Sequence, residues 1–238
     1  MNKRICLWSC PRNVSTALMY SFAQRKDTIV FDEPLYAYYL SVTGANHPGR
    51  EDVLSSQEKN GDMVIENIVL QESNKIIFHK LMTHFLIDIN TDFLKKVANV
   101  IFIRNPEEII FSYSKVIPNP TMEDIGIEQQ YNLYKKLQKN RNTPIVLDSK
   151  YLLQNPKLVL EKLCYLLGIS FDKGMLKWEK GARKEDGIWA KYWYENVHNS
   201  TCFLPYVKKE IKLTNSNLEL SEKCKPYYEF LTSKSIRI

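Results

Sequence analysis

A polar loop near the start of the chain has the residue types of an anion-binding site. It reads Ser9-Cys10-Pro11-Arg12-Asn13-Val14-Ser15-Thr16, between a short apolar run and a segment with apolar residues at helical spacing. In a strand, loop and helix of this order, the first N–H groups of the helix lack partners and carry the positive end of its dipole. A phosphate or sulfate would gain hydrogen bonds and charge stabilisation there. Arg12 would add a permanently charged donor, and Ser15 and Thr16 would cap the helix or bind a ligand oxygen.

The loop differs from a Walker A motif and leaves a second interpretation open. That motif requires two glycines and a lysine followed by serine or threonine, and no glycine precedes Gly44. The alternative interpretation is that Ser15 or Thr16 only caps the helix while Arg12 is solvated. Cys10 could be activated by the helix and Arg12. Because the sequence places no base beside this thiol, we expect it to serve in packing.

Two later strand ends carry candidates for proton transfer. Residues 28–31 are predicted to form a strand ending at Asp32-Glu33-Pro34, and ligands of α/β proteins lie beyond such carboxyl ends. Residues 75–78 are predicted to form the next strand, which leads into His79-Lys80-Leu81-Met82-Thr83-His84. His84 is a candidate general base because the unperturbed pKa of histidine lies near neutrality. The alternatives are a polar turn and a loop histidine without catalytic roles.

A further predicted strand places a second cation at the same edge. Residues 98–103 are the clearest apolar run, and Arg104-Asn105-Pro106 follows them. Proline suits the first turn of a helix, and Glu107 and Glu108 favour its positive end. Arg104 is therefore expected to point from the same sheet edge as the first loop, with Ser112 two helical turns further on.

The remaining patterns predict an α/β fold with three layers, α/β/α, around a mostly parallel central sheet of about five strands. Residues 144–147 supply the fifth strand, and helices are expected over 121–140, 158–167 and 217–232. Alternating strands and helices indicate parallel strands joined by right-handed crossovers. With no internal repeat or clear linker, residues 1–238 are expected to form a single domain.

The composition of the chain indicates the charge of its ligand and the cellular location of the protein. Of the residues, 44% are hydrophobic and 25% charged, and the formal net charge is +6. This mild excess favours an anionic ligand but is too dispersed to indicate nucleic acid. No apolar run resembles a signal peptide or a membrane span, so we expect a cytoplasmic protein that does not bind membranes. The five cysteines form no CxxC pair and are expected to be free, and two nearby histidines without a third ligand do not complete a zinc site.

In combination, these positions resemble the sulfotransferase family that uses 3′-phosphoadenosine 5′-phosphosulfate, a branch of the P-loop nucleotide-kinase-like fold. The loop of residues 9–16 is similar to the 5′-phosphosulfate loop of that family. Arg104, with Ser112 at the matching distance, resembles the pair that holds the 3′-phosphate. Further similarity lies in Tyr151-Leu152, Asn155-Pro156, Leu166-Leu167-Gly168-Ile169 and Met175-Leu176-Lys177-Trp178. The resemblance extends from residue 4 to about residue 200 and indicates a divergent bacterial-type branch.

Three weaker similarities and two departures accompany these motifs. Lys80 with Thr83-His84 resembles the stretch that supplies a catalytic histidine, and Asp32-Glu33-Pro34 resembles a turn that carries a catalytic glutamate in some members. Arg183-Lys184 faintly resembles the late loop that closes over the nucleotide. Arg12 stands where cytosolic members have lysine. Val14 stands where the family usually has glycine. Because a β-branched residue does not readily take positive φ, we expect the loop either to adopt another conformation or to hold the anion less tightly.

The resemblance implies a role for each of these residues in sulfuryl transfer to a small-molecule hydroxyl or amine. Cys10, Pro11, Arg12, Asn13, Val14, Ser15 and Thr16 would form the 5′-phosphosulfate site, with Arg104 and Ser112 at the 3′-phosphate and Arg183 and Lys184 closing over the nucleotide. His84 is the first choice of general base and Glu33 the second, while Lys80 would stabilise the departing phosphate. This chemistry requires no metal.

Two other functions remain open, and the acceptor is not identified. An ATP-dependent kinase or hydrolase of the same fold is disfavoured by the missing Walker glycines and lysine. A non-catalytic protein that binds a nucleotide or sulfated ligand is favoured mildly by Val14. Aromatic residues at Tyr36, Tyr38 and Tyr39 and at residues 189–194 predict an aromatic-lined acceptor pocket, with tyrosine packing as the alternative. The sequence does not indicate an oligomeric state.

Overall fold

A computed structural model of the chain describes residues 3–208 and 210–237. Its centre is a five-stranded sheet in the order β2-β3-β1-β4-β5, and all four strand pairs are parallel. The strands are β1 (Arg4–Ser9), β2 (Thr28–Asp32), β3 (Ile76–Met82), β4 (Ala98–Ile103) and β5 (Ile145–Asp148). The predicted fold class is confirmed. The prediction of a single domain over residues 1–238 includes residues 1, 2, 209 and 238, which lie outside the described residues.

Helices connect the strands and cover both faces of the sheet. They are α1 (Ser15–Ala23), α2 (Tyr36–Thr43), α3 (Arg50–Ser56), α4 (Gly61–Val64), α5 (Pro106–Tyr113), α6 (Met122–Ile125), α7 (Ile127–Lys139), α8 (Ser149–Gln154), α9 (Pro156–Leu167), α10 (Ala190–Trp193), α11 (Glu195–His198) and α12 (Asn215–Ser233). A π-helical turn (Ile65–Val69) continues α4, and short 3-10 turns lie at Thr83–Phe85, Thr91–Lys96 and Lys173–Leu176. Among the described residues, no helix has the length and apolar character needed to cross a membrane.

The alternation of side chains along β1 divides the interior into two cores. Ile5 and Leu7 pack on one face of the sheet with residues of α1, α8 and α9. Cys6 and Trp8 pack on the other face with residues of α2, α5, α7 and α12. Because successive side chains of a strand point to opposite faces, both faces of this central strand are buried. The three layers are therefore helices, sheet and helices.

The order of the strands creates a crevice beside the end of β1. From β1 the chain crosses to β2 and β3 on one side, whereas β4 and β5 lie on the other side. Loops leaving adjacent strands on opposite sides separate at their carboxyl ends, which is where ligands bind in open α/β sheets. The loop after β1 and the turn at Arg104 both lie at this position.

The structure corrects two predicted boundaries. The helix expected over residues 121–140 is two helices, because Gly126, with φ 73°, ends α6 in the left-handed conformation before α7 begins. β3 continues to Met82, so Lys80 lies within the strand rather than after it. The helix ending at Gly168 and the last helix are confirmed. All five cysteines are free, as expected.

The loop after β1 adopts left-handed backbone at two residues. Val14 has φ 53° and ψ 19° and immediately precedes α1, and Arg12 has φ 59°. The first alternative, that the loop avoids positive φ at Val14 by adopting another conformation, is therefore wrong, and a less tight hold on the anion stays a prediction. Left-handed backbone costs a residue with a Cβ about 1–2 kcal/mol, so the surrounding structure holds Val14 in a strained state.

This strain predicts that, at position 14, glycine is more stabilising than alanine, which is the reverse of their usual order in a helix. Val14→Gly and Val14→Ala both remove the apolar side chain, but only glycine relieves the left-handed strain. We expect the glycine variant to be more stable by about 1 kcal/mol in urea denaturation. Ala17→Gly, inside α1, is the control and should be less stable than the parent by about 1 kcal/mol. Equal stability of the two Val14 variants would contradict the backbone conformation described.

Candidate functional site

The loop between β1 and α1 is fixed by buried contacts to the neighbouring strand. Cys10, Pro11 and Asn13 are buried. The Asn13 side-chain amide donates to the main-chain oxygen of Phe102 in β4 and lies 3.6 Å from the sulfur of Cys10. Gln130 of α7 donates to the same Phe102 oxygen at 2.8 Å. The loop is therefore held against β4 before any ligand binds.

The start of α1 has the unpaired donors that an anion requires. In the part of the chain that is described, no side chain caps this helix. The hydrogen bond from the N–H of Leu18 to the oxygen of Val14 belongs to the first helical turn, so the preceding N–H groups lack helical partners. Ser15 and Thr16 lie inside the first turn rather than at the cap position. The alternative that either residue caps the helix is not observed.

Two guanidinium groups meet beside this helix end. Arg12 donates to the Ser112 hydroxyl at 3.0 Å and to the main-chain oxygen of Trp193 at 3.0 Å. Arg104 donates to the main-chain oxygen of Arg12 at 2.5 Å. Burial and the neighbouring Arg104 charge lower the pKa of Arg12, although arginine stays protonated at any ordinary pH. The structure therefore brings together the predicted 5′- and 3′-phosphate residues, and two adjacent cations favour an anion between them.

Sequence reasoning missed the carboxylate that accompanies Arg104. Glu108 accepts from two nitrogens of Arg104 at 2.8 and 2.7 Å, and its second oxygen accepts from the Tyr206 hydroxyl at 2.8 Å. The spacing of four residues between Arg104 and Glu108 is typical of an ion pair on one face of a helix and could have indicated this contact. The sequence predicts for Glu108 only a place in the first turn of the helix. Glu108 holds the Arg104 guanidinium against the loop after β1.

A fully buried ion cluster lies where β2 and β3 end. The Lys80 ammonium donates to Asp32 at 2.8 Å, to Glu33 at 2.5 Å and to the Tyr194 hydroxyl at 2.5 Å. Lys80 is 1% exposed. Its three N–H donors are all used, as burial of a lysine requires. We call Asp32, Glu33, Lys80 and Tyr194 the carboxylate cluster.

A distant segment of the chain completes the carboxylate cluster. The Tyr194 hydroxyl lies 2.8 and 2.9 Å from the two carboxylate oxygens of Asp32 and accepts from the indole N–H of Trp189 at 3.1 Å. The main-chain N–H of Gly187 donates to Asp32 at 3.0 Å. The sequence places Asp32 at a strand end and Tyr194 in an aromatic stretch, but it does not indicate that they pair, because the two residues are 162 positions apart.

Burial and charge shift the proton affinities of this cluster. Burial raises the pKa of Glu33, and the neighbouring Asp32 carboxylate raises that pKa further, against the Lys80 charge. The pKa of Lys80 is raised because the attraction of its two carboxylates exceeds the cost of burial. Lys80 is thus held as a cation, and Glu33 binds a proton more readily than an ordinary glutamate.

His84 lies in a different environment, in the 3-10 turn that follows β3. Its Nδ1 is buried without a hydrogen-bond partner in the described structure. Burial lowers the pKa of the imidazole to about 3. The ring packs edge-on against Tyr39, 5.2 Å between centroids, and against Phe85, 4.8 Å. His84 is therefore neutral at pH 7 and is a weak base.

Aromatic residues from the two predicted stretches meet in one cluster. Tyr36 contacts Trp189 edge-on at 5.1 Å between ring centroids, and Tyr39 stacks on Phe85 at 4.5 Å. Tyr36, Tyr38 and Tyr39 are buried. Their rings pack against neighbouring side chains. The 187–194 segment contributes Trp189 to these aromatic contacts and Tyr194 to the carboxylate cluster.

The remaining predicted nucleotide-binding residues lie beside α1. The Arg183 guanidinium stacks 5.5 Å from the ring centroid of Tyr20 and pairs with Glu185 at 3.2 Å, whereas Lys184 is exposed. The Tyr20 hydroxyl donates to Asp186 at 2.6 Å, which fixes this loop to the helix. Burial raises the pKa of the Cys10 thiol to about 12, so this cysteine stays protonated and packs in the core.

Comparisons with known proteins identify the family. The chain is 38% identical over 230 residues to Branched-chain-amino-acid aminotransferase-like protein 1 of Arabidopsis thaliana, covering 95% of this chain but 41% of that protein. The sulfotransferase domain of the Synechococcus PCC 7002 olefin synthase has the same fold, with a TM-score of 0.57 at 15% identity over 93% of this chain and 94% of that one. A sulfotransferase from Alicyclobacillus acidocaldarius aligns with a TM-score of 0.53 at 12% identity, covering 98% and 95% of the two chains.

A family model described as a sulfotransferase domain matches residues 3–235. This match includes the loop after β1, both arginines and the carboxylate cluster. It confirms the resemblance that the sequence motifs indicated. The chain belongs to the sulfotransferase family.

Proposed function

We propose that this chain transfers a sulfuryl group from 3′-phosphoadenosine 5′-phosphosulfate to a hydroxyl or amine of a small-molecule acceptor. The observation that supports this most strongly is the meeting of Arg12, Arg104 and Ser112 beside the uncapped start of α1. A nucleotide with phosphates at both ends of its ribose requires two anion sites a short distance apart. Arg12 with the start of α1 would supply one of these sites, and Arg104 with Ser112 would supply the other.

The sulfuryl donor would be held by residues that already lie beside the start of α1. The N–H groups of the first turn of α1 and the Arg12 guanidinium would bind the 5′-phosphosulfate. Arg104 and Ser112 would bind the 3′-phosphate. Arg12 would exchange its present bonds to Ser112 and to the Trp193 oxygen for bonds to the ligand. These groups are charged or partly buried, which strengthens their interaction with an anion.

The donor supplies an activated sulfuryl group, and the chain's residues position it and remove one acceptor proton. We place that proton on Glu33. Its raised pKa makes it a stronger base than an ordinary carboxylate, whereas burial lowers the pKa of His84 to about 3. Lys80 is bound by two carboxylates, so its charge would act on Glu33 more directly than on the departing phosphate.

The two other functions have weaker support. A kinase would lack the glycines and lysine of a Walker A loop. A non-catalytic binder was favoured only by Val14, and that residue adopts the left-handed conformation which glycine takes most readily. Sulfuryl transfer gives a role to both arginines, which would bind the nucleotide phosphates, and to the carboxylate cluster, which would accept the acceptor proton.

The donor assignment predicts selective binding of adenosine 3′,5′-bisphosphate. In calorimetric titration, the parent protein should bind this nucleotide more tightly than AMP or ATP with Mg²⁺. Arg12→Ala and Arg104→Ala should each weaken binding by about 10- to 100-fold, because each removes hydrogen bonds between charged groups worth about 1.5–3 kcal/mol. Arg237→Ala, at an exposed position, is the matched control and should leave affinity unchanged.

The individual assignments can fail separately. Unchanged affinity in Arg104→Ala would contradict the 3′-phosphate site while leaving the loop after β1 intact. A preference for ATP with Mg²⁺ would contradict the sulfuryl donor and favour the kinase.

The assignment of the base predicts a difference between Glu33→Gln and His84→Gln. Glu33→Gln should lower the turnover of labelled 3′-phosphoadenosine 5′-phosphosulfate with a panel of phenols, alcohols and amines by about 10²- to 10⁴-fold, with little change in nucleotide affinity. His84→Gln should keep most of the turnover. The opposite result would assign the proton to His84, and full turnover in both variants would place the base elsewhere.

A further inference from the structure

The hydroxyl of Tyr194 is the point at which the 187–194 segment enters the carboxylate cluster. It is the only cluster member that does not come from the end of β2 or from β3. It contacts both oxygens of Asp32 and the Lys80 ammonium. The Tyr194 ring is buried, and its hydroxyl also accepts a hydrogen bond from the indole N–H of Trp189.

We propose that Tyr194 is a positioning residue that holds Asp32 and Lys80 and thereby sets the protonation of Glu33. This inference rests on the proposed role of Glu33 as the base. A hydroxyl that donates to Asp32 withdraws negative charge from the carboxylate whose charge acts on Glu33. Because Asp32 disfavours a second negative charge beside it, the hydroxyl makes ionised Glu33 easier to form.

The charged and titratable groups around Glu33 come from five parts of the fold. They are Asp32, Lys80, Tyr194, Tyr36 of α2 and Tyr113 of α5. Lys80 is a fixed cation with all three donors used, and burial raises the pKa of both Tyr36 and Tyr113, so these phenols stay neutral near pH 7. Tyr194 is therefore the neutral group whose removal changes the field at Glu33 without changing the net charge.

The same segment also contacts the loop after β1. Trp193 precedes Tyr194, and its main-chain oxygen accepts from Arg12 at 3.0 Å. Trp193 thus contacts the loop that would bind the sulfuryl donor, and the next residue, Tyr194, contacts the carboxylate cluster that contains the predicted base. A ligand that draws Arg12 away from Trp193 would act on the residue next to Tyr194. Tyr194 therefore lies between the loop after β1 and the carboxylate cluster.

The test is a carbon-13 NMR titration of the full chain labelled at the glutamate side-chain carboxyls, with the Glu33 signal assigned by Glu33→Gln. Tyr194→Phe should raise the pH midpoint of Glu33 by about one unit, because Asp32 loses a hydrogen-bond donor and its negative charge acts more strongly on Glu33. Tyr192→Phe is the matched control, since that tyrosine is exposed in the same segment, and it should leave the midpoint unchanged. A nitrogen–proton spectrum verifies that each variant is folded.

A second variant keeps the proposal testable if Tyr194→Phe does not fold. Trp189→Phe removes the indole donor to the Tyr194 hydroxyl and should raise the Glu33 midpoint in the same direction by less. An unchanged midpoint in a folded Tyr194→Phe, or a shift equal to that of Tyr192→Phe, would overturn the proposal. The titration needs neither nucleotide nor acceptor, so its outcome is independent of whether the chain transfers sulfuryl groups.

Discussion

The Lys80 ammonium, enclosed between Asp32 and Glu33, is the interaction on which this edge of the sheet depends. A buried cation without its carboxylates, or two buried carboxylates without the cation, would each cost about 3–5 kcal/mol. Both carboxylates come from the end of β2 and the lysine from within β3, so the ion pairs fix these two strands relative to each other at this edge. Tyr194 and Gly187 then bind to the same carboxylate, which orders the late segment against the sheet.

This arrangement places two kinds of chemistry at one edge. On the β1 and β4 side, Arg12 and Arg104 lie beside the positive end of α1. On the β2 and β3 side, the cluster has one cation and two carboxylates. An anion is attracted to the first region, and a proton is most readily accepted in the second. A reaction that joins an anionic donor to an acceptor carrying a removable proton needs both.

The fold could be predicted from sequence because the strands are apolar on both faces and alternate with amphipathic helices. The strand ends at residues 32 and 104 also placed candidate residues on the correct edge. Other features depended on contacts that spacing does not reveal. The apolar run gave no sign that Lys80 is buried inside β3, because only its two partner carboxylates make that burial stable. Val14 takes left-handed backbone because tertiary packing overrides a local preference.

We infer that the crevice between β1 and β4 holds a nucleotide by both of its phosphates. The most direct measurement is a crystal structure of the chain with adenosine 3′,5′-bisphosphate. We expect the 5′-phosphate on the N–H groups at the start of α1 and on Arg12, with the 3′-phosphate between Arg104 and Ser112. A nucleotide bound elsewhere, or one whose 3′-phosphate makes no contact with Arg104, would contradict it.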